Sequence, residues 1–298
     1  MDTDLVAKLA ERLDVRVELR ESTRGMSGSR VHFARQEDGR VCVLKVTSLR
    51  RDDDARAGRR ELDFYRDLAE RMPLRTPALL DYLEDDEAIA LVLSAHGEIE
   101  PATPWDRRSW LSLAVDLARL HGTEVPDPDR WRGDRSPFHA LIEPDMPVVD
   151  GFWREDLPSS FDAIIESREL LEQEILRAGA SFVHGDCHTD NILREHGALV
   201  WIDWQSTGIG NPALELAFLA ARATPSGARI PPEMLAKYCS ESNKDRELML
   251  RSIMAAELSI FIFEWPPYAS FDSPAGTRLV RRRTRYLAER WTEIAGLT

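Results

Sequence analysis

The most constraining feature of the sequence is a polar segment that lies between two short apolar runs. It reads His-Gly-Asp-Cys-His-Thr-Asp-Asn over residues 184–191. Burying so many polar groups costs free energy unless they are paired or bind a ligand. A second apolar run, at residues 199–202, leads directly to Asp203. The pattern predicts two strands on either side of a polar loop, with Asp186, Asn191 and Asp203 directed toward one place.

The residue types in this segment indicate metal-assisted phosphate chemistry. Two carboxylates and one amide oxygen are hard ligands, which suit Mg²⁺ better than Zn²⁺. In one phosphoryl-transfer arrangement, a loop Asp accepts the proton of the attacking hydroxyl and a nearby Asn binds Mg²⁺. An Asp on the following strand binds metal that bridges the nucleotide phosphates. Asp186, Asn191 and Asp203 occur in that order, so the sequence predicts such a site.

The N-terminal part of the chain has the pattern of a small antiparallel sheet. Apolar and polar residues alternate there, and Asp38-Gly39 is a strong hairpin signal. Strands are predicted over residues 15–19, 31–34, 41–46 and 88–93. The third strand carries Lys45, and a lysine on an apolar strand is rarely buried without a partner. A glycine-containing turn over residues 24–30 precedes the second strand, and a helix that carries Glu61 follows the third.

The remainder of the chain is predicted to be mainly helical. Residues 94–97 form a connector, and a helix over residues 110–121 ends at Gly122, which is typical of a helix C-terminus. Residues 123–158 show little periodicity and are predicted to be a long loop-like insertion. Further helices are predicted over residues 159–178 and beyond 212, with interruptions at 225–232 and 265–274.

Composition and charge exclude several classes of protein. The chain has 298 residues, of which 43% are hydrophobic, as is usual for a globular protein. Its net charge of −13 makes nucleic acid and anionic membranes poor partners, because phosphate groups attract positive surfaces. Three widely spaced cysteines argue against a disulfide framework or a Cys-based zinc site. With neither a membrane-length apolar run nor an export signal, we expect a cytoplasmic protein.

The polar segment also carries a family resemblance. Residues 184–191, followed by Ile202-Asp203-Trp204, resemble the aminoglycoside phosphotransferase and choline kinase-like family of small-molecule kinases. Residues 117–121 and 210–217 are similar to that family as well. The resemblance implies an α+β, bilobal protein-kinase-like fold, with a small antiparallel-sheet N-lobe that has one key helix and a larger, mainly helical C-lobe. It places a nucleotide-binding lobe at 1–94, a catalytic and acceptor-binding lobe at 95–298, and a hinge at about 93–97.

The same resemblance assigns roles to individual residues. Asp186 is the catalytic base, and Asn191 and Asp203 are the magnesium ligands. Lys45 holds the α- and β-phosphates of ATP or GTP, and Glu61 orients Lys45. The loop that covers the phosphates includes Gly25, Ser27, Gly28 and Ser29. The hinge that binds the nucleotide base through backbone groups includes Leu93, Ser94, Ala95 and His96.

Two departures from the family pattern bear on the substrate. The family usually has an Asp where Glu215 stands, and the chain lacks the acidic, aromatic C-terminus with which aminoglycoside 3′-kinases bind amines. The leading hypothesis is an antibiotic acceptor, of aminoglycoside, nucleoside or peptide type. The alternatives are a metabolic kinase for choline, a sugar or an amino alcohol, and a nucleotide-binding pseudokinase. Candidates to meet a cationic acceptor are Asp145, Asp150, Glu155, Asp156, Glu257 and Glu264.

Several other residues have a structural interpretation. His184 is expected to brace the polar loop, His188 to make a structural hydrogen bond, and His121 to be a core histidine with satisfied hydrogen bonds. The basic cluster over residues 281–285 is predicted to be a solvated helix face.

Overall fold

The computed structural model describes residues 3–18, 29–97, 105–133, 136 and 138–296. The chain forms two units, one of residues 1–99 and 192–207 and the other of residues 100–191 and 208–298. The sequence analysis divided the chain once, at residue 94, and therefore assigned residues 192–207 to the second lobe. In the structure this segment packs with the first unit. The assignment of nucleotide binding to one lobe and acceptor binding to the other stays a prediction.

The strands and helices have the following bounds. In chain order the strands are β1 (Val15–Val17), β2 (Ser29–Gln36), β3 (Val41–Ser48), β4 (Leu79–Glu84), β5 (Ala88–Ser94), β6 (Ser181–Val183), β7 (Ile192–Glu195), β8 (Ala198–Trp201) and β9 (Gly208–Gly210). The helices are α1 (Thr3–Arg12), α2 (Asp52–Asp67), α3 (Arg107–His121), α4 (His139–Ile142), α5 (Met146–Trp153), α6 (Phe161–Glu166), α7 (Arg168–Leu176), α8 (Pro212–Ala223), α9 (Pro232–Ser242), α10 (Arg246–Ser259) and α11 (Pro274–Ala295).

The first unit contains an antiparallel sheet with the strand order β1-β2-β3-β5-β4. The hairpin predicted at Asp38-Gly39 joins β2 to β3, and Gly39 has a φ of +84°, which glycine adopts without a steric penalty. The sequence analysis did not predict β4. This strand lies at an edge of the sheet with mostly exposed residues, so it lacks the alternation of a half-buried strand.

The two faces of β3 pack against different helices, because successive residues of a strand point to opposite sides. Leu44 and Val46 belong to an apolar cluster with α1. Lys45 and Thr47 therefore point to the other face, where α2 lies. A Cβ atom on Gly58 of α2 would be only 2.9 Å from Cγ2 of Thr47, so the glycine permits a close approach. This packing brings α2 alongside the lysine.

Residues 192–207 add a second, two-stranded sheet to the first unit. Strands β7 and β8 are antiparallel and are joined at His196 and Gly197, which have φ values of +50° and +78°. Positive φ at both positions is typical of a tight hairpin turn. After β8 the Trp204 ring stacks on Phe64 of α2, with the ring centroids 4.0 Å apart. The stacking holds the segment that follows Asp203 against the helix.

The second unit is mainly helical, as expected. Strands β6 and β9 pair antiparallel within it. Its core contains large buried aromatic side chains, including Trp153, Phe161, Phe261 and Trp291. Within the described ranges, none of the helices combines the length and apolarity needed to span a membrane.

The prediction of a loop-like insertion over residues 123–158 was wrong. The region contains α4 and α5, and it buries both Trp131 and Trp153. Nε1 of Trp153 donates a hydrogen bond to the carbonyl oxygen of Phe261 at 3.0 Å, which ties α5 to the core. The two helices have four and eight residues, which is too short for a clear helical period in the sequence.

The helix predicted over residues 159–178 is divided into α6 and α7 at Ser167. The Ser167 hydroxyl donates to the carbonyl oxygen of Ile164 at 3.1 Å and accepts from Nε1 of Trp291 at 2.9 Å. Serine side chains that bond nearby backbone compete with the helical pattern. Because the indole lies more than a hundred positions away in the sequence, the break is a tertiary effect.

Candidate active site

Lys45 lies in a buried cluster of charged groups in the first unit. Its Nζ is 2.8 Å from Oε1 of Glu61 on α2 and 2.7 Å from Oδ1 of Asp203, which follows β8. The Glu61 side chain is 1% exposed and the Lys45 side chain 7%, whereas the Asp203 side chain is 24% exposed. The structure therefore brings together three of the predicted site residues, and Asp203 is the most exposed of them.

The charge of Lys45 is stabilised by its neighbours. Burial by itself would lower the pKa of Lys45, but Glu61 and Asp203 outweigh it and raise the pKa above its ordinary value. The side chain is thus a cation at neutral pH. Apolar residues in place of a buried ion cluster are often equally stabilising, so stability does not explain why this cluster is present. A fixed cation beside a partly exposed carboxylate does suit the binding of phosphates and a metal ion.

Asp203 has an unusual backbone conformation that its surroundings maintain. Its φ of +65° and ψ of 63° lie in the left-handed region, which costs a non-glycine residue on the order of 1–3 kcal/mol. The next N–H group, of Trp204, donates to Oε1 of Glu61 at 3.3 Å, and the Trp204 ring stacks on Phe64. Strain held in this way is frequent at functional sites. Here it accompanies an Asp203 side chain that reaches the lysine.

The predicted phosphate-covering loop is described only at its end. Gly25, Ser27 and Gly28 lie outside the described residues. Ser29 is buried at the start of β2, where its hydroxyl is 2.8 Å from the Thr47 hydroxyl and accepts from Nε2 of Gln205 at 2.6 Å. Its side chain therefore anchors the strand to the segment after Asp203. The phosphate-covering role of the loop stays a prediction.

The predicted hinge residues begin inside the sheet. Leu93 and Ser94 are the last residues of β5, and Ala95 follows the strand. The backbone N–H of Ser94 donates to the carbonyl oxygen of Ala78 at 2.9 Å, and the Ser94 hydroxyl accepts from the N–H of Ala78 at 2.8 Å. The Ser94 N–H is thus already bonded within the protein, and the binding of a nucleotide base by these residues stays a prediction.

The second unit holds the polar loop, in which Asp186 and Asn191 are in contact. Nδ2 of Asn191 donates to the carbonyl oxygen of Asp186 at 2.9 Å and to its Oδ2 at 3.0 Å. Nε2 of His188 lies 3.7 Å from the same Oδ2, and Nδ1 of His188 lies 3.5 Å from Oδ2 of Asp190. The N–H of Asp186 also donates to Nδ1 of His184 at 3.3 Å, so His184 braces the loop as predicted.

These neighbours keep Asp186 ionised. Burial works to raise the pKa of Asp186, but the nearby His188 and His184 and the amide of Asn191 outweigh it, and the pKa lies below its ordinary value. The pKa of His188 is raised, because Asp186 and Asp190 outweigh the opposing effect of burial. The loop thus presents a carboxylate oriented by an amide, which is the form that a proton acceptor requires.

A buried hydrogen-bond network holds the backbone of the loop. Oε1 of Glu215 on α8 accepts from the N–H of Gly185 at 2.7 Å. Oε2 of Glu215 is 2.7 Å from Nε2 of His121, whose Nδ1 is 2.8 Å from the Tyr238 hydroxyl. Gly185 has a φ of +82° and immediately precedes Asp186. The network therefore fixes the turn that presents Asp186, and Glu215 acts as a positioning residue.

Sequence reasoning found only part of this network. His121 is buried with both ring nitrogens bonded, so its interpretation as a core histidine is confirmed. The role of Glu215 was left undecided, and Tyr238 was not singled out. The sequence marked Glu215 by its place in the family pattern, where an Asp is usual, and by its position in the first turn of a helix, where carboxylates are common for other reasons. The partners of Glu215 lie 30 and 94 positions away, so they could not be inferred locally.

Three of the acidic residues considered for a cationic acceptor form ion pairs within the protein, and one of them is Asp150, which pairs with Arg154. Asp156 forms ion pairs with Arg281 and Arg285 of α11. The buried Glu257 accepts from Nε and Nη2 of Arg283 at 2.8 and 2.6 Å. The prediction of a solvated helix face is confirmed only in part, because the side chains of Arg281, Arg283 and Arg285 are 37%, 41% and 51% exposed but each also joins α11 to an acid from another segment.

Glu264 differs from those acids. It ends a π-helical turn, Ile260–Glu264, that continues α10. Its carboxyl makes no hydrogen bond or ion pair with any residue of the described ranges, and burial raises its pKa to about 7. The next residue, Trp265, donates from Nε1 to Oδ2 of Asp272 at 3.2 Å, so the turn is held in place. Glu264 is thus a candidate to contact an acceptor.

The metal assignment can be compared with the acidic and histidine side chains that the structure describes. Among those residues, no three His, Cys, Asp or Glu side chains converge as a metal-binding group. The predicted ligands Asn191 and Asp203 combine one amide with one carboxylate, and they belong to different units. Their role as metal ligands stays a prediction.

The fold and these two sets of residues define a class of protein. A buried lysine held by a helix glutamate and an aspartate, together with an Asp-x₄-Asn loop, is the residue set of protein-kinase-like phosphotransferases. The sequence profile of the APH family, described as the phosphotransferase enzyme family, matches residues 21–250. The chain belongs to this family, as its sequence predicted. It is an enzyme that transfers phosphate to a hydroxyl acceptor. A search of curated proteins finds no match.

Solved structures with the same fold cover nearly the whole chain. The amicoumacin kinase hAmiN, in complex with AMP-PNP, Ca²⁺ and Ami, has a TM-score of 0.66 at 14% identity, with 97% of this chain and 94% of that chain covered. Choline kinase from Cryptosporidium parvum Iowa II has a TM-score of 0.63 at 13% identity, with 99% and 97% covered. The streptomycin–ATP–APH(2″)-IIa complex has a TM-score of 0.60 at 18% identity, with 97% and 98% covered. At these identities the comparison shows the fold alone, and it confirms the predicted α+β, protein-kinase-like fold.

Proposed function

We propose that the enzyme transfers the γ-phosphate of ATP or GTP to a hydroxyl group of a small-molecule antibiotic. The observation that carries the proposal is the buried Lys45 held between Glu61 and Asp203 at 2.8 and 2.7 Å. A cation fixed in this way is a rigid anchor for nucleotide phosphates. Positioning and electrostatic stabilisation supply most of the acceleration of phosphoryl transfer.

In this proposal, residues 1–94 bind the nucleotide. Lys45 binds the α- and β-phosphates, and Glu61 orients Lys45. The loop that covers the phosphates includes Gly25, Ser27, Gly28 and Ser29, and the hinge that receives the base includes Leu93, Ser94 and Ala95. Residues 95–298 supply the catalytic loop and bind the acceptor. Because nucleoside triphosphates are cytoplasmic solutes, the proposal places the enzyme in the cytoplasm.

Asp186 is the proposed base. It accepts the proton of the acceptor hydroxyl while the hydroxyl oxygen attacks the γ-phosphorus and the bond from that phosphorus to the β–γ bridging oxygen breaks. The products are a phosphate ester and a nucleoside diphosphate. The lowered pKa keeps Asp186 ionised, and the two hydrogen bonds from Asn191 hold it in one orientation.

Asn191 and Asp203 are the proposed ligands of Mg²⁺. Because Nδ2 of Asn191 is bonded to Asp186, the amide oxygen is the atom that remains for a cation. Oδ1 of Asp203 is bonded to Lys45, which leaves Oδ2 for the metal. Oxygen donors of these two kinds suit Mg²⁺. When bound, the ion neutralises negative charge on the phosphate oxygens.

An antibiotic acceptor is supported by the solved proteins that share this fold. Solved proteins with this fold include the amicoumacin kinase, an APH(2″)-IIa complex with streptomycin, and the macrolide 2′-phosphotransferase MphH from Brachybacterium faecium. The last of these has a TM-score of 0.56 at 21% identity, with 94% of this chain and 98% of that chain covered. Glu264, which has no partner among the residues that the structure describes, adds a carboxyl that can meet an acceptor amine when it is ionised.

The test is a panel of acceptors with radiolabelled ATP and GTP in the presence of Mg²⁺. The panel contains aminoglycosides, macrolides, nucleoside and peptide antibiotics, choline, sugars and amino alcohols. We expect transfer to at least one antibiotic and loss of that transfer in Asp186→Asn. Transfer confined to the metabolites would reject the antibiotic acceptor. No transfer from either nucleotide to any acceptor would reject the proposed function.

A further inference from the structure

The segment that follows β5 is fastened to the end of β7 by a single carboxylate. Oε2 of Glu195 lies 3.1 Å from Nδ1 of His96 and 3.0 Å from Nη2 of Arg75. The N–H of Gly97 points to Oε1 of Glu195 at 3.5 Å. Glu195 thus contacts two successive residues of the segment and an arginine that precedes β4. All of these residues belong to the first unit.

His96 continues this set of contacts back to the predicted hinge. Its Nε2 is 2.8 Å from the hydroxyl of Ser94, which also accepts from the N–H of Ala78. Both ring nitrogens of His96 are therefore engaged, one by Ser94 and the other by Glu195. The ring bridges the last residue of β5 to the last residue of β7. The side chains of His96 and Glu195 are 19% and 22% exposed, so this contact is partly shielded from water.

The backbone of the segment also lies directly on β7. A Cβ atom on Gly97 would be 2.4 Å from the carbonyl oxygen of Arg194, a distance that no side chain tolerates without movement of the backbone. Glycine at this position is thus required by a close approach. The carboxylate and the glycine act together, since one attracts the segment and the other lets it come near.

We propose that Glu195 is a positioning residue that sets the hinge backbone for recognition of the nucleotide base. The inference rests on the proposed function, because it takes residues 93–95 as the hinge. Backbone groups recognise a base only when they are held at hydrogen-bond spacing. In enzymes, a displacement of positioned groups by about 1 Å can lower the reaction rate about a hundredfold. Ser94 by itself does not fix the whole segment, because it lies before His96 and Gly97, the residues that contact Glu195.

The contacts also define what Glu195 does not do. Among the residues that the structure describes, its side-chain partners are His96, Gly97 and Arg75, and none of them belongs to the Lys45 cluster or the polar loop. Loss of Glu195 is therefore expected to weaken binding of the base and to leave binding of the phosphates unchanged. This separation distinguishes positioning of the hinge from general support of the fold.

The experiment measures the dissociation constants of AMP-PNP, GMP-PNP and inorganic tripolyphosphate, each with Mg²⁺, by titration calorimetry. For Glu195→Ala we expect the preferred nucleotide analogue to bind about tenfold more weakly and tripolyphosphate to bind within about twofold of the wild type. Gly97→Ala is a second variant, for which we expect the same weaker binding of nucleotide and unchanged binding of tripolyphosphate. It replaces Glu195→Ala in the experiment if that variant does not fold. The matched control is Glu84→Ala, which removes a carboxylate that pairs with Arg59 at the same distance of 3.0 Å on edge strand β4.

Unchanged nucleotide affinity in both variants would overturn the proposal. An equal loss of affinity for nucleotide and tripolyphosphate would overturn it too, because that result indicates a general structural effect. The measurement involves no phosphate transfer and no acceptor. Absence of phosphate transfer in the acceptor panel therefore counts against the proposed function. Absence of a selective loss of nucleotide affinity counts against the role of Glu195.

Discussion

Replacement of Glu215 tests whether a buried carboxylate on α8 positions the loop that carries Asp186, the proposed base. The residue accepts at 2.7 Å from the N–H of Gly185 and lies 2.7 Å from Nε2 of His121. Glu215→Ala leaves both groups buried without that partner. A buried polar group without its partner costs about 1–3 kcal/mol. The two together correspond to about 2–6 kcal/mol, a large part of the usual stability of a protein.

Glu215→Gln is the more informative variant because it preserves the shape. The amide oxygen can accept from Gly185, and the amide nitrogen can donate to His121 if its ring moves the proton to Nδ1 and donates to Tyr238. The variant therefore keeps the geometry of both hydrogen bonds but has a neutral side chain at position 215. Hydrogen bonds to charged groups are stronger than neutral ones by about 1 kcal/mol each, so we expect a loss of about 2 kcal/mol in unfolding free energy.

The assay pairs urea unfolding with kcat and KM for the best acceptor of the panel. We expect kcat to fall about threefold to tenfold in Glu215→Gln and about a hundredfold in Glu215→Ala, because a displaced Asp186 no longer meets the acceptor hydroxyl. The matched control is Glu174→Gln, a buried glutamate of the same unit that pairs with Arg177 and Arg251 at 3.0 and 3.2 Å. Wild-type kcat in a folded Glu215→Ala, or an equal loss in the control, would refute the reasoning.

Three further predictions concern other ionisable residues. Lys45→Met is expected to lower kcat/KM for the nucleotide at least a hundredfold, and steady-state kinetics with nucleotide varied checks this. Asp186→Asn is expected to lower kcat at least a hundredfold while AMP-PNP affinity stays within about threefold; unchanged turnover would rule out its role as base. Glu264 has a raised pKa, so the folded state binds its proton more tightly than the unfolded state does. Stability from this group is therefore present below about pH 4.5 and lost as the pH rises through about 7, by up to about 3 kcal/mol. Urea unfolding at pH 5 and 8 should show Glu264→Gln to be much more stable than the wild type at pH 8 and only slightly more stable at pH 5.

The polar segment of the candidate site could be recognised from the sequence because its residues are close together and chemically unusual. Asp186 and Asn191 are five positions apart, and the structure joins them by two hydrogen bonds. The hairpin at Asp38-Gly39 was readable for a similar reason, since turn type depends on the local backbone preferences of a few residues. In both places the relevant physics acts over a short stretch of chain.

The fold was harder to infer where elements are short or exposed. The edge strand β4 and the helices α4 and α5 gave no clear periodicity, so they were missed or interpreted as loop. The split of one predicted helix at Ser167 depends on the Trp291 indole, which reaches the serine from α11. Such features depend on distant partners, and no local pattern carries that information.

The amino-acid sequence by itself indicated the residue types able to perform phosphoryl transfer and the strands of the small sheet, because motif spacing and strand alternation are local properties. Its motifs also carried the family resemblance, which implied the kinase-like α+β fold. The tertiary structure decided which groups meet. It joined Lys45 to Glu61 and to Asp203, 158 positions later, and it placed Glu215 beneath Gly185. It also paired the acids and arginines that the sequence left as separate surface groups. Hydrogen bonds and ion pairs act over a few ångströms, and only the folded chain brings residues so far apart within that range.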